Sequence, residues 1–332
     1  MSAPAIHIPD NTIASFSDLG KFAQCRRAWY LGTYRKLRLK DEPPTGPLPF
    51  GSRIHAALEA YYDLGLHPAE AWKQLMAHEY AVAEANGNPF IEALDKESKL
   101  GHRMMEGYLE WLEADGEDAY FDTVAVEQAL THELPMVVDT PDGDTEVTIL
   151  LRGKLDRQIR RKSDGTIYVA DFKTMGNFGE PAMVTLYKSP QPRLYRRLLK
   201  ANDPDSDVRG VVYTLLRKVL RTPTAKPPFY KRVTIEISEV EQAAYDVRLE
   251  GAVSELARTR FALDAGVDHR RIAYFQPGWQ CATCPFKLPC DLMQSSPQGA
   301  EDMLADLYTE GNPWARYLAD SAGDAEISGG PA

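Results

Sequence analysis

No run of the 332-residue sequence is apolar for long enough to span a bilayer, which excludes a membrane protein built on transmembrane helices. The first residues, Met1–Asn11, have neither the basic start nor the apolar stretch of an export signal. A soluble, cytoplasmic protein with no membrane partner is therefore expected. Cysteine is scarce, with only four residues. Without an export signal, a disulfide framework explains them poorly. No internal repeat is present. No Gly-x-x-x-x-Gly-Lys-Ser/Thr phosphate loop is present either, so any motor would be a separate chain. Positive charge is in deficit: 38 Lys and Arg stand against 48 Asp and Glu, a net charge of −10, which argues weakly against nucleic-acid binding. At 44% hydrophobic, the chain can build a substantial core and more than one lobe.

The positive charge that exists is unevenly spread. Residues 187–232 are rich in Lys and Arg, with only Asp203, Asp205 and Asp207 as acids, and residues 21–40 are basic without an acid among them. From Glu301 onward the chain turns acidic. Such segregation suits one basic groove on an acidic exterior; a solvated basic face is the plainer reading.

Hydrophobic spacing predicts a helix over 15–31, capped by Ser15 or Ser17, then a Pro/Gly-rich loop from Pro43 to Pro49. A second helix starts near Gly51, and two more cover 68–86 and 95–114. In the latter, Leu100, Met104, Tyr108 and Trp111 form a core stripe. Strand-like segments follow near 121–134, 146–160 and 166–174, with turns at Asp142-Gly143 and Asp164-Gly165. A helix at about 190–201, strands over Val208–Arg217 and Lys231–Ile237, and a long helix over 239–264 complete the pattern. The expected fold class is α/β (α+β), with a helical lobe at about 50–115 inserted before a core at about 120–237. Residues 1–14 are expected to be flexible, 15–290 a single domain with its last segment at 239–290, 291–320 a helical extension, and 321–332 disordered.

The chemistry centres on Ile167–Thr174. Alternate side chains of a strand share a face, so Asp171 and Lys173 emerge together from an otherwise apolar strand. Asp156, in Leu151-Arg152-Gly153-Lys154-Leu155-Asp156, lies on the preceding strand. If the two strands pair as a hairpin, Asp156 and Asp171 approach each other. Paired carboxylates repel, and a divalent cation relieves the conflict. Oxygen donors of this kind select Mg²⁺ or Mn²⁺. Lys173 would stabilise charge in a phosphodiester hydrolysis with water as nucleophile. An exposed salt bridge between Asp171 and Lys173 is the plain alternative.

These residues carry a family resemblance. Gly153-x-x-Asp156, Asp171-x-Lys173-Thr174 and Gln191-x-x-x-Tyr195 resemble the PD-(D/E)xK nuclease superfamily, in particular its RecB-like branch. Gly51-Ser52-Arg53-Ile54-His55 matches an earlier Gly-x-x-x-His element of that branch. The resemblance implies a restriction-endonuclease-like core. It implies His55, Asp156 and Asp171 as metal ligands, completed by the carbonyl of Phe172. It further implies Lys173 as the catalytic lysine, and Gln191 and Tyr195 on the DNA side. Read alone, His55 on an apolar helix is a core histidine. Beside two carboxylates it leans the metal toward Mn²⁺. Gln191 and Tyr195 share a helix face, and Arg193, Arg196 and Arg197 beside them could contact phosphates. Pro190 and Pro192 flank Gln191, so the helix could begin at Pro192 with Gln191 as its cap. Glu127 is a possible outer acid.

Three cysteines form Cys281-x-x-Cys284-x₅-Cys290, and Cys25 lies far upstream. A Cys-x-x-Cys knuckle is usually a metal element, with zinc the default. The pattern is similar to one subgroup of RecB-like nucleases, which includes CRISPR-associated exonucleases and the nuclease domain of AddB-type helicase–nucleases. That resemblance implies one [4Fe–4S] cluster held by all four thiolates, closing N- and C-terminal segments. It implies a metal-dependent DNA exonuclease acting on single strands or ends, alone or with a helicase or CRISPR integrase. A non-catalytic DNA-binding adaptor of the same fold is the alternative of another class.

Overall fold

The computed structural model describes residues 13–314 apart from 86, 88 and 89. The expected disordered tail and most of the expected flexible start lie outside the described residues. Ile13 and Ala14, counted in that start, instead form strand β1 (Ile13–Ser15). The described chain divides into two compact units. One takes the described residues up to Glu42, Thr131–Gly153 and those from Ala243 onward; the other takes Pro43–Leu130 and Lys154–Gln242.

In the first unit β1 pairs in parallel with the middle of β4 (Gly143–Arg161), Ile13 opposite Leu150. Helix α1 (Phe16–Gln24) is capped by Ser15, whose Oγ accepts from Asp18 N at 3.2 Å. The expected helix over 15–31 is broken at Cys25, which is extended. The reason is local competition for donors. Arg26 N donates to Gln276 Oε1 and Arg27 N to Tyr274 O, so these amides leave the helical ladder. Helix α2 (Arg26–Trp29) and a π-turn at Tyr30–Tyr34 follow. Asp18, in the first turn of α1, is buried; it accepts from Trp29 Nε1 at 2.7 Å and pairs with Arg260 of α8 (Glu239–Asp264). Arg260 also donates to the carbonyl of Ile13. After the short α9 (His269–Ile272), α10 (Lys287–Ser295) runs into the expected C-terminal extension and α11 (Pro297–Leu307) lies within it, after which β8 (Tyr308–Glu310) pairs antiparallel with β2 (Leu37–Leu39).

The second unit holds three helices, α3 (Pro47–Leu64), α4 (Pro68–Ala85) and α5 (Ile91–Asp115). Pro47 starts α3 where no amide donor is needed, and Gly65, at φ +70°, ends it in the left-handed region. Their apolar faces enclose Phe50, Ile54, Trp72, Met76, Leu94, Met104 and Tyr108. Leu100 and Trp111 pack against that cluster, so the stripe on α5 is core as expected. A Cβ on Gly101 would lie 2.1 Å from the Trp72 ring, so only glycine lets α4 and α5 meet there.

Strands of this unit follow the order β4, β5 (Ile167–Met175), β6 (Val208–Arg217), β7 (Tyr230–Glu236). β4 runs antiparallel to β5, β5 parallel to β6, and β6 antiparallel to β7. β5 is buried from Ile167 to Phe172, which accounts for its almost unbroken apolar run. The crossover to β6 contains α6 (Glu180–Lys188) and α7 (Gln191–Asn202). β3 (Phe121–Thr140) pairs with β4, and both strands contribute residues to the two units.

Removing one partner of a buried ion pair strands the other charge. Asp18→Ala is therefore expected to destabilise the protein by about 3–5 kcal/mol, measured by denaturant unfolding; a loss below about 1 kcal/mol would show the pair to be incidental.

Candidate active site

The site is built where β4 and β5 stop pairing. The ladder between them runs from Arg160 opposite Ile167 to Arg157 opposite Ala170. One more step sets Asp156 opposite Asp171. There the Asp156 side chain takes over from the backbone: its Oδ2 accepts from Phe172 N at 2.9 Å. The same oxygen lies 3.1 Å from Nδ1 of His55, on α3. One carboxylate oxygen thus joins a helix to a strand. Asp171, 1% exposed, carries Lys173 Nζ at 2.6 Å from its Oδ2. Lys173 also lies 5.8 Å from the ring of Tyr213, whose residue pairs with Asp171 across β5 and β6.

Aromatic packing sets the position of α3. The Phe172 ring stacks on Tyr62 at 5.8 Å and meets His55 edge-on at 6.1 Å. Tyr62 donates to Asp118 Oδ2 at 2.7 Å and shares a 2.6 Å contact with the Tyr108 hydroxyl. Asp118 also pairs with Arg157 of β4 and Arg232 of β7, and Arg157 lies 3.8 Å over the Tyr62 ring. A Cβ on Gly51 would sit at an ordinary 3.7 Å from Thr174 Oγ1, so the Gly of the Gly-x-x-x-His element marks the approach of α3 to β5 without being sterically required.

The local electrostatics are those of two acids with too little positive charge. Burial pushes the Asp171 carboxyl up, and Asp156 adds to the effect; Lys173 and His55 offset only part, leaving it at about 6. Burial also raises Asp156, but His55, Lys173 and the Phe172 N–H together outweigh it and hold that carboxyl below its ordinary value. For His55, burial disfavours the charged ring, yet the attraction and hydrogen bond of Asp156 prevail and raise its pKa. A family model described as the PD-(D/E)XK nuclease superfamily matches residues 13–291.

The chain belongs to that superfamily. Its members are generally nucleases, and they use Mg²⁺ or Mn²⁺. No protein with a curated description matches. Among solved structures, one titled "Crystal structure of SSO0001" is similar at 12% identity and TM-score 0.30, over 85% of this chain and 87% of that one; so weak a likeness carries no argument.

The donors present fit a superfamily cation. Two carboxylates lie in electrostatic contact, one of them buried with its pKa raised, and Lys173 supplies a single charge where a divalent ion supplies two. As they stand, His55–Asp156 and Asp171–Lys173 are two dyads. Among the described residues no three His, Cys, Asp or Glu side chains are gathered into a ready metal site.

Gln191 is the first residue of α7, not a cap outside it, and its Nε2 donates to Tyr195 Oη at 2.6 Å. Arg196 is turned inward, donating to Val208 O and pairing with Glu239. Arg193 donates to Ser189 O and pairs with Glu241. Sequence reading passed over Lys154, which pairs with Glu127 at 2.8 Å; its two-residue spacing from Asp156 was the available signal. Asp118 gave no such signal.

All four cysteines belong to the first unit and are free of disulfides. They line one cavity of about 450 Å³, together with Phe275, Pro277 and Phe286. Arg27 Nη1 lies 3.6 Å from Cys290 Sγ. Burial pushes the Cys284 thiol up, and charge on Cys25, Cys290 and Cys281 acts in the same direction against the Phe286 N–H. Burial pushes the Cys290 thiol up as well, and thiols gathered around one cavity suit a cationic occupant.

The raised groups fix a pH dependence. Asp171 titrates near 6 in the fold against 3.8 when unfolded, so the metal-free fold loses stability as pH rises through that window. His55 adds to the loss when it deprotonates above its raised pKa. A cation held by these side chains would take the place of both protons. Saturating Mn²⁺ should therefore raise the melting temperature by several degrees more at about pH 8 than at about pH 5, and Asp171→Asn should remove most of the difference. An equal shift at both pH values would contradict this.

Proposed function

We propose that the protein is a divalent-metal-dependent DNA exonuclease of the RecB-like branch, acting on single strands or DNA ends and carrying a structural [4Fe–4S] cluster. The observation that carries the reading is the meeting of His55 and the Phe172 N–H on one oxygen of Asp156, next to the buried Asp171–Lys173 pair. His55, Asp156, Asp171 and the Phe172 carbonyl would hold the ion, once Lys173 leaves Asp171. When bound, a divalent cation activates water and neutralises the phosphate under attack. Lys173 turns its ammonium to the phosphate and offsets the charge that develops there. Gln191 and Tyr195, already joined, orient the strand as a pair. Arg193 and Arg196 brace α7 from within; Arg197, half-buried on the same helix, and the exposed Lys188 at the end of α6 are the phosphate contacts of this reading.

The cluster reading rests on four thiols around one cavity, the stoichiometry of a [4Fe–4S] centre; zinc is the competing occupant. It would tie Cys25, at the break between α1 and α2, to residues 281–290 within the first unit. A helicase or CRISPR integrase would act as a separate cytoplasmic partner.

Digestion of end-labelled linear DNA and of covalently closed circles, with Mn²⁺ or Mg²⁺, tests the reading. Linear DNA should be degraded and circles spared; attack on circles would rule out an exonuclease, and no cleavage of either would favour the adaptor. Asp156→Ala and Lys173→Ala should each lower cleavage about a thousandfold or more while DNA binding survives. Cys281→Ser should lose the brown iron–sulfur absorbance, and a full-intensity chromophore in that variant would overturn the cluster assignment.

A further inference from the structure

Glu127 lies in β3 with a backbone φ of +49°. That left-handed conformation costs a residue without a short polar side chain about 1–2 kcal/mol. The alternation of exposure expected along a strand also fails here, since Ala125 to Ala129 are all half-buried. Together these mark an interruption of the regular pleat, which re-aims a side chain as a bulge does. Glycine or asparagine would take the same conformation at less cost. The position nevertheless carries a carboxylate, and its placement has a visible result. Glu127 Oε2 lies 2.8 Å from Lys154 Nζ, with both side chains largely shielded.

Lys154 needs such a partner because of where β4 puts it. Exposure alternates strictly along this part of the strand. Gly153, Leu155 and Arg157 are buried, while Lys154, Asp156 and Gln158 are half-buried on the other face. Lys154 thus stands on the same face as Asp156, one strand repeat away, at roughly 7 Å between Cα atoms. Lysine reaches that far. Glu127 is itself within the field of Asp156, which with burial pushes its carboxyl up. Asp156 already receives the positive influence of His55 and Lys173. A second ammonium on it would satisfy the carboxylate and repel a divalent ion.

We propose that Glu127 is a positioning residue that holds Lys154 away from Asp156, keeping that carboxylate open to a divalent cation. The inference rests on the nuclease reading for the purpose of the cation. The backbone strain is then the cost of placing an acid where β3 faces Lys154.

The test is Mn²⁺ affinity, read from the electron paramagnetic resonance of the free ion, alongside thermal melting. Glu127→Gln should weaken Mn²⁺ binding about tenfold or more, because Lys154 is released. The double variant Glu127→Gln/Lys154→Met should regain affinity to within about threefold of Lys154→Met alone. Glu127→Gly should melt no lower than wild type, since its backbone strain is relieved, yet bind Mn²⁺ as weakly as Glu127→Gln. A merely structural ion pair predicts the reverse, with lower melting and unchanged affinity. Full Mn²⁺ affinity in Glu127→Gln, or a double variant as weak as that single one, would overturn the inference and leave the nuclease reading standing. A wild-type protein that neither binds Mn²⁺ nor cleaves DNA would bring down both.

Discussion

One oxygen of Asp156 organises the candidate site. It accepts from the Phe172 N–H of β5 and faces the imidazole of His55 on α3. A buried carboxylate must be satisfied or it will not stay charged, and here the two partners come from elements far apart in the chain. The helix is therefore tied to the strand at the point where the ladder between β4 and β5 ends. Packing repeats the same attachment: the Phe172 ring is stacked on Tyr62 of α3, and Tyr62 is itself fixed through Asp118 to Arg157 and Arg232 on the flanking strands. Movement of α3 would disturb His55, the Asp156 hydrogen bonds and the core together.

Charge is the second constraint. Asp171 is buried beside Asp156, and the protein answers with one lysine rather than with a compensating pair. The result is a carboxyl close to half-protonation near pH 6, next to another kept fully ionised. Such a divergence of neighbouring acids is typical of sites prepared for a ligand rather than for stability. Lys173 stands in for part of the missing charge, so the ordinary salt bridge and the catalytic lysine are two states of one side chain. The superfamily's reliance on Mg²⁺ or Mn²⁺ gives the missing charge an identity.

The first unit is organised by a different economy of burial. Asp18 and Arg260 are both withdrawn from water, and Trp29 and the Ile13 carbonyl complete their hydrogen bonds. The broken helix at Cys25 follows from tertiary partners at Gln276 and Tyr274, which draw two amides out of the helical pattern. That break places Cys25 on the cavity shared with Cys281, Cys284 and Cys290. The basic segment at 21–40 is likewise partly spent on ion pairs within the chain, such as Arg26–Glu255 and Arg35–Glu301.

Most elements, and the pairing of acids with a lysine, were legible in the order of the residues. Strand periodicity put Asp171 and Lys173 on one face, the Asp164-Gly165 turn folded Asp156 back toward them, and the core stripe on α5 was readable from its spacing. These are local properties, set by side-chain direction and turn geometry over a few residues. Tertiary structure alone decided which charges are spent and which remain. Arg196 looked like a phosphate contact until Val208 and Glu239 took its donors, Asp118 became a hub without any local signature, and Glu127, from a left-handed backbone position, met a lysine on the next strand. Desolvation and pairing depend on neighbours brought from distant parts of the chain, and no spacing along it records them.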